Sequence, residues 1–448
     1  MGPLHRISRR AVLLALVASG AWRPNVTLAA SSCAAVIQRD GPIFLPSGPQ
    51  GEKFGIAEGF PNSDPSLHGQ PGEPLDAKYR VGTFSHFDET QRVGRVGRAV
   101  NPFCFSYARE PISYTYKGIK NTADDYVARH PVTGLLIVKD DTVVLECYQY
   151  GRTDRDRLFS GSMAKSITGL LIGIAIADGG IGSVDDLVQS YVPEWRDTEY
   201  GKTSIRDLLH MSSGVAFGEE ANNSRDLDLL WEGMVLGRGG WLDWMFGRSG
   251  SAVGTIATIA QFNKRIAPPG TQFRYASIEP CVLGVVLRRA TGKSLSDYLH
   301  EKVWAVIGTE SDAAWLLDAQ GFEVAHTFFG AVLRDYARLG RLFAFDGTWN
   351  GQQIIPAQWM IEATTTRDSD TYLLPGRGNP KAFGYGYLLW LLPGSRRQFV
   401  LLGGLGQRIF VDPSSKIVMV QTGIDRSLDT DGEVMLLWSA VVAKFGER

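Results

Sequence analysis

What this chain of 448 residues has little of narrows it before any motif is read. It has four cysteines, Cys33, Cys104, Cys147 and Cys281, widely spaced and with no C-x-x-C pair. That argues against a zinc ribbon, thioredoxin-like redox chemistry or a disulfide scaffold, and leaves open a single bridge in an exported protein. Neither charge is in excess, with 46 basic against 47 acidic residues, so no nucleic-acid partner is expected. The seven histidines are scattered, and there is no His-Glu-x-x-His, P-loop or Gly-x-Ser-x-Gly. No metal or cofactor is therefore expected. The apolar run Ala11 to Trp22 is short and followed by Pro24 and Asn25, so no stable membrane span is expected in the mature protein. The rest of the composition, 44% hydrophobic and 21% charged, is that of an ordinary globular chain. Its length suffices for two domains or one large composite one.

The first thirty residues differ from the remainder. Arg6, Arg9 and Arg10 precede the apolar run, and small residues follow at Ala29-Ala30-Ser31. This is the order of a secretory signal peptide over residues 1–30. Ser8-Arg9-Arg10-Ala11-Val12-Leu13 also matches a twin-arginine signal, so a periplasmic or secreted location is expected. Residues 31–125, rich in Gly, Pro and polar side chains, read as an irregular N-terminal wrap.

The stretch Phe159 to Ser166 carries the chemistry. Ser162 and Lys165 stand three apart before the apolar run Ile167 to Ala177, so a helix there places hydroxyl and amine on one face. Free N–H groups of the first turn favour developing negative charge beside that hydroxyl. About one Ser-x-x-Lys is expected by chance in such a chain, so the context has to carry the assignment. The run after Ser162 has no polar face and holds Gly169 and Gly173, which marks a buried, closely packed helix. Before it, Gly134 to Lys139 and Val143 to Tyr148 flank Asp140-Asp141 as a hairpin. After it, residues 184–344 are mostly helical and loop-like, with Trp231, Trp241, Trp244 and Phe246 as core or pocket aromatics. Strands return at Gly384 to Leu391, Phe399 to Leu402, Gln407 to Val411 and Ile417 to Gln421, and Glu433 to Phe445 closes as a helix. Strands at both ends with helices between imply an α+β fold, its antiparallel sheet built from distant segments.

Several segments together, in order, resemble the serine β-lactamase and penicillin-binding-protein superfamily, closest to its class C-like esterase and 6-aminohexanoate-dimer hydrolase branch. They are Phe159 to Gly182, Val184 to Pro193, Ser204 to Val215, Phe273 to Ser277, Leu333 to Leu342, and Gly403 to Gln407 before Val411-Asp412-Pro413. The resemblance spans residues 130–445 and implies a β-lactamase-like fold, a sheet flanked by helices plus an all-helical part. The serine hydrolase domain is expected over 126–448, with the sheet part at 130–180 and 345–448 and the helical part at 181–344.

Carried over residue by residue, the resemblance makes Ser162 the acylated nucleophile, Lys165 its base and Tyr275 the partner in proton transfer. Ser277 stands where many relatives have Asn and is expected to bind substrate or Lys165. Gly403-Gly404-Leu405-Gly406 replaces the third motif, Lys-Thr-Gly, and the N–H of Gly404 or Leu405 is expected to join that of Ser162 as an oxyanion hole. The missing lysine removes a partner for a β-lactam carboxylate. The resulting expectation is an exported serine hydrolase of small carboxylic esters or linear amides, acting through an acyl-enzyme. The rival readings are a β-lactamase or D-amino-acid peptidase, and a non-catalytic binding domain on the same fold.

Overall fold

Around Asp140-Asp141 the β-branched and leucine-rich runs form a hairpin, β1 (Val132–Lys139) and β2 (Thr142–Tyr148). Asp140 takes φ +53°, which a short polar side chain tolerates in a tight turn. The computed structural model describes residues 41–56, 77–219, 224–237, 252–377, 382–430 and 432–446. Residues 1–30, where a signal peptide is expected, and Cys33, Trp241, Trp244 and Phe246 lie outside the described residues.

Three strands near the C-terminus, β3 (Phe399–Gly403), β4 (Gln407–Asp412) and β5 (Ile417–Gly423), complete the centre of a nine-stranded sheet. β5 pairs antiparallel with β1, setting Met419 opposite Ile137 and Val420 opposite Leu136, so the two ends of the chain share one sheet. Each of these strands is buried almost throughout, because both faces are covered. Gly340 of helix α3 (Leu333–Ala344) sits so close to Ile409 and Val418 that a Cβ would come within 2.9 and 2.5 Å of their methyls. The neighbouring Phe410 points the other way and stacks on Trp438 of α4 (Glu433–Phe445), centroids 5.3 Å apart. Alternation along β4 thus splits Ile409 and Phe410 between two helical layers.

Helix α1 (Met163–Ala177) is buried along nearly its whole length, as its apolar surface requires. Gly173 meets Trp359 so closely that a Cβ would lie 2.3 Å from the indole. Helix α2 (Ile278–Thr291) packs beside it and ends at Gly292 in the left-handed conformation, φ +69°.

Four elements depart from the sequence expectation. The 31–125 stretch holds helices at Arg80–Thr90 and Ala123–Arg129 and a hairpin at Ser113–Tyr116 and Ile119–Thr122. A second sheet, ordered Val93–Val96, Ala313–Leu316, Phe329–Ala331, Leu158–Phe159, runs through the supposed helical part. Strands of two to four residues are too short to show an alternation. Gly384 to Leu391 is a hairpin of two short strands, Gly384–Tyr385 and Trp390–Leu391, turned at Leu388 with φ +55°. The main sheet is also not purely antiparallel, since Ile43–Phe44 and Ser106–Tyr107 join β2 in parallel. Among the described residues no helix is long and apolar enough to cross a membrane.

Candidate active site

The second sheet delivers the serine. Ser160 N–H donates to Phe329 O (2.8 Å) at the end of the Leu158–Phe159 strand, and Gly161 turns the chain with φ +51°. Ser162 follows as the residue that begins α1. One turn on, Lys165 is buried with 1% exposure. Its Nζ donates to Ser162 Oγ at 2.8 Å and to the main-chain carbonyl of His326 at 2.9 Å. Burial pulls its pKa down to about 8, against the opposing pull of the Glu219 charge.

Tyr275, a phenol carried on the loop before α2, lines one cavity with Ser162. Burial first, and Glu219 second, push that phenol above its ordinary value. Lys165 Nζ lies 5.1 Å from the centre of the Tyr275 ring, and Trp390 stacks against it at 5.6 Å. The structure therefore brings Ser162, Lys165 and Tyr275 together. Ser277 is placed differently from the expected substrate or lysine contact. It is buried, and its hydroxyl donates to Glu219 Oε1 at 2.7 Å while its N–H donates to Oε2.

The end of β3 forms the opposite wall. A Cβ on Gly403 would fall 2.9 Å from Ser162 N, and one on Gly161 would fall 3.2 Å from Gly404 N, so only glycine lets these segments meet. Leu405 N–H donates to Asp429 Oδ2 at 2.8 Å. Of the two candidate oxyanion donors, Leu405 is thus already engaged, while Gly404 lines the cavity with Ser162. That cavity, about 400 Å³, is walled by Tyr275, Phe383, Trp390 and Leu402, with Arg408 and Asp429 as its charged members.

Sequence reasoning missed Glu219, the His326 carbonyl, Arg408 and Asp429. None belongs to a motif, and a backbone carbonyl carries no side-chain signature. Arg408 was visible only as a charged residue inside an apolar strand, which is a signal of a buried, purposeful cation. His210 is buried against Tyr387 and Tyr372, away from Ser162, and burial lowers its pKa to about 4. Among the described residues no group of three His, Cys, Asp or Glu is placed to hold a metal.

The chain is similar to several known proteins. A 6-aminohexanoate-dimer hydrolase of Paenarthrobacter ureafaciens is 26% identical over 292 residues, covering 64% of this chain and 71% of that protein. Among solved structures, a Bacillus anthracis protein provisionally named a 6-aminohexanoate-dimer hydrolase superposes with TM-score 0.72 at 22% identity, over 83% of this chain and 95% of that one. A family VIII carboxylesterase gives TM-score 0.52 at 18% identity, over 70% and 93%. The Beta-lactamase family model matches residues 119–422, which include Ser162, Lys165, Tyr275 and the Gly403–Gly406 turn. This chain belongs to the Beta-lactamase family.

Proposed function

We propose that this β-lactamase-fold protein is a serine hydrolase that cleaves small carboxylic esters or linear amides through an acyl-enzyme on Ser162. The 2.8 Å contact between Lys165 Nζ and Ser162 Oγ carries the reading. In its neutral form the amine accepts the serine proton along that contact while Oγ bonds to the substrate carbonyl carbon. The tetrahedral oxyanion is received by the N–H groups of Ser162 and Gly404. Collapse breaks the bond to the leaving oxygen or nitrogen, which takes a proton from the Tyr275 and Lys165 pair. Water then attacks the acyl carbon with the same groups as base, and Ser162 is regenerated. Glu219 offsets part of the burial effect on Lys165 and holds the loop carrying Tyr275 through Ser277.

The apolar cavity walls support an uncharged acyl or leaving group, and the names of the relatives support esters and linear amides. One observation favours the alternative, a β-lactam or D-amino-acid peptide. Arg408, on the strand beside the third motif, is a basic residue among those lining the cavity, where the third-motif lysine is missing. We also propose export. Cys104 is disulfide-bonded, which supports an oxidising compartment alongside the expected N-terminal signal. The test of the hydrolase reading is intact-mass spectrometry after fluorophosphonate treatment of wild type, Ser162→Ala and Lys165→Ala. One adduct that is lost in both variants is expected. No adduct on folded wild-type protein would overturn the reading and favour a binding domain. An ester, amide and β-lactam panel then separates the substrate classes.

A further inference from the structure

We infer that Asp429, outside every motif of the fold, is a positioning residue for the oxyanion turn; this rests on the serine-hydrolase reading above. The turn Gly404 to Gly406 is an unfavourable one. Leu405 is held at φ +67° and ψ +22°, a left-handed conformation that a branched side chain rarely adopts, and Gly406 follows at φ +95°. Something has to stabilise it, and the contacts are specific. Asp429 accepts from both consecutive amides, Leu405 N–H at 2.8 Å and Gly406 N–H at 3.0 Å. The carbonyls are taken from the other side, Gly406 O by Gln421 Nε2 at 2.9 Å and Leu405 O by Gln407 Nε2 at 3.4 Å. The amide of the turn left outside this set is that of Gly404, at the cavity wall beside Ser162.

Asp429 is itself tethered. The preceding Leu428 fills the space against Gly406 and Gly423, where a Cβ would come within 2.4 Å of its methyl. Arg408 Nη2 donates to Leu428 O at 2.5 Å. The guanidinium therefore anchors the segment that presents the carboxylate. Arg408 also lines the same cavity as Asp429, a basic residue beside the acidic one. A carboxylate suits two parallel N–H donors because both of its oxygens accept, whereas an amide presents one acceptor and one donor. Asp429→Asn thus keeps the volume and sets an NH₂ against one of the turn's N–H groups.

The experiment compares wild type, Asp429→Asn and Asp429→Ala with a p-nitrophenyl ester, correcting rates for active sites titrated by the fluorophosphonate adduct, with melting temperature in parallel. Oxyanion contacts are made in the transition state and not in the ground state, so kcat falls while KM stays within about twofold. The expected loss in kcat is roughly tenfold or more for both variants, less than removal of a donor outright, which costs about 10²–10³-fold. A merely structural residue would lower the titratable fraction and the melting temperature while leaving kcat per titrated site unchanged, and that result would overturn the inference. So would a higher kcat in Asp429→Asn, which would mean that the carboxylate's charge opposes the oxyanion more than its hydrogen bonds organise the turn. Failure of wild type to form an adduct would instead overturn the hydrolase reading, so the two failures are distinguishable.

Discussion

The burial of Lys165 has a consequence that can be measured as a pH profile. A lysine at its free pKa of about 10.4 is neutral in roughly one molecule in 2,500 at pH 7. With burial pulling the value down to about 8, the neutral fraction becomes roughly one in ten. The gain is on the order of 200-fold in competent base, or about 3 kcal/mol of differential solvation held in the fold. The rate constant for phosphonylation of Ser162 by the fluorophosphonate, with loss of fluoride, should accordingly rise about tenfold per pH unit below the midpoint and level off above it, with the midpoint near 8. The sign follows from which form reacts, since the protonated amine cannot accept the serine proton and activity is lost as pH falls through the midpoint. The assay is timed labelling between pH 5.5 and 10, read by intact mass, with Lys165→Ala in parallel. A midpoint near the free histidine value of about 6.5, or the same profile in Lys165→Ala, would refute the assignment of Lys165 as the base.

Four further outcomes are expected. Glu219→Gln removes the charge that raises the Lys165 pKa, so the midpoint of the labelling profile moves to lower pH; an upward move or none would contradict the electrostatic role assigned to Glu219. Tyr275→Phe keeps the stack on Trp390 but loses the hydroxyl, and kcat on an ester should fall about 10²–10⁴-fold with little change in melting temperature. Gly173→Ala drives a methyl into Trp359 and should cost about 1–3 kcal/mol, measured by urea denaturation without change in the pH midpoint. Denatured but unreduced protein should alkylate at Cys147 and Cys281 and not at Cys104, with Cys104 reacting only after reduction.

The sequence by itself determined the parts governed by local pattern. The β1–β2 hairpin and the strands β3 to β5 are long enough for their apolar runs to be read, and α1 declares itself by having no polar face. The spacing of Ser162 and Lys165 is likewise local, because three residues make nearly one helical turn and the 2.8 Å contact follows from it. Tyr275 and the Gly403–Gly406 turn were reached only through resemblance, since nothing in their own neighbourhood says that they face Ser162.

What only the tertiary structure decided is everything that depends on segments remote in sequence. Phe329 and Ser160 meet through strands too short to be seen in the pattern, and that meeting brings the His326 carbonyl onto Lys165. Glu219 takes the hydroxyl of Ser277, which the sequence had offered to substrate or lysine, and Asp429 takes the Leu405 amide, which it had offered to the oxyanion. The physical reason is the same in each case. A side chain's type fixes which bonds it is able to make, whereas burial, distance and competing partners fix which of them it does make, and those are properties of the packed fold.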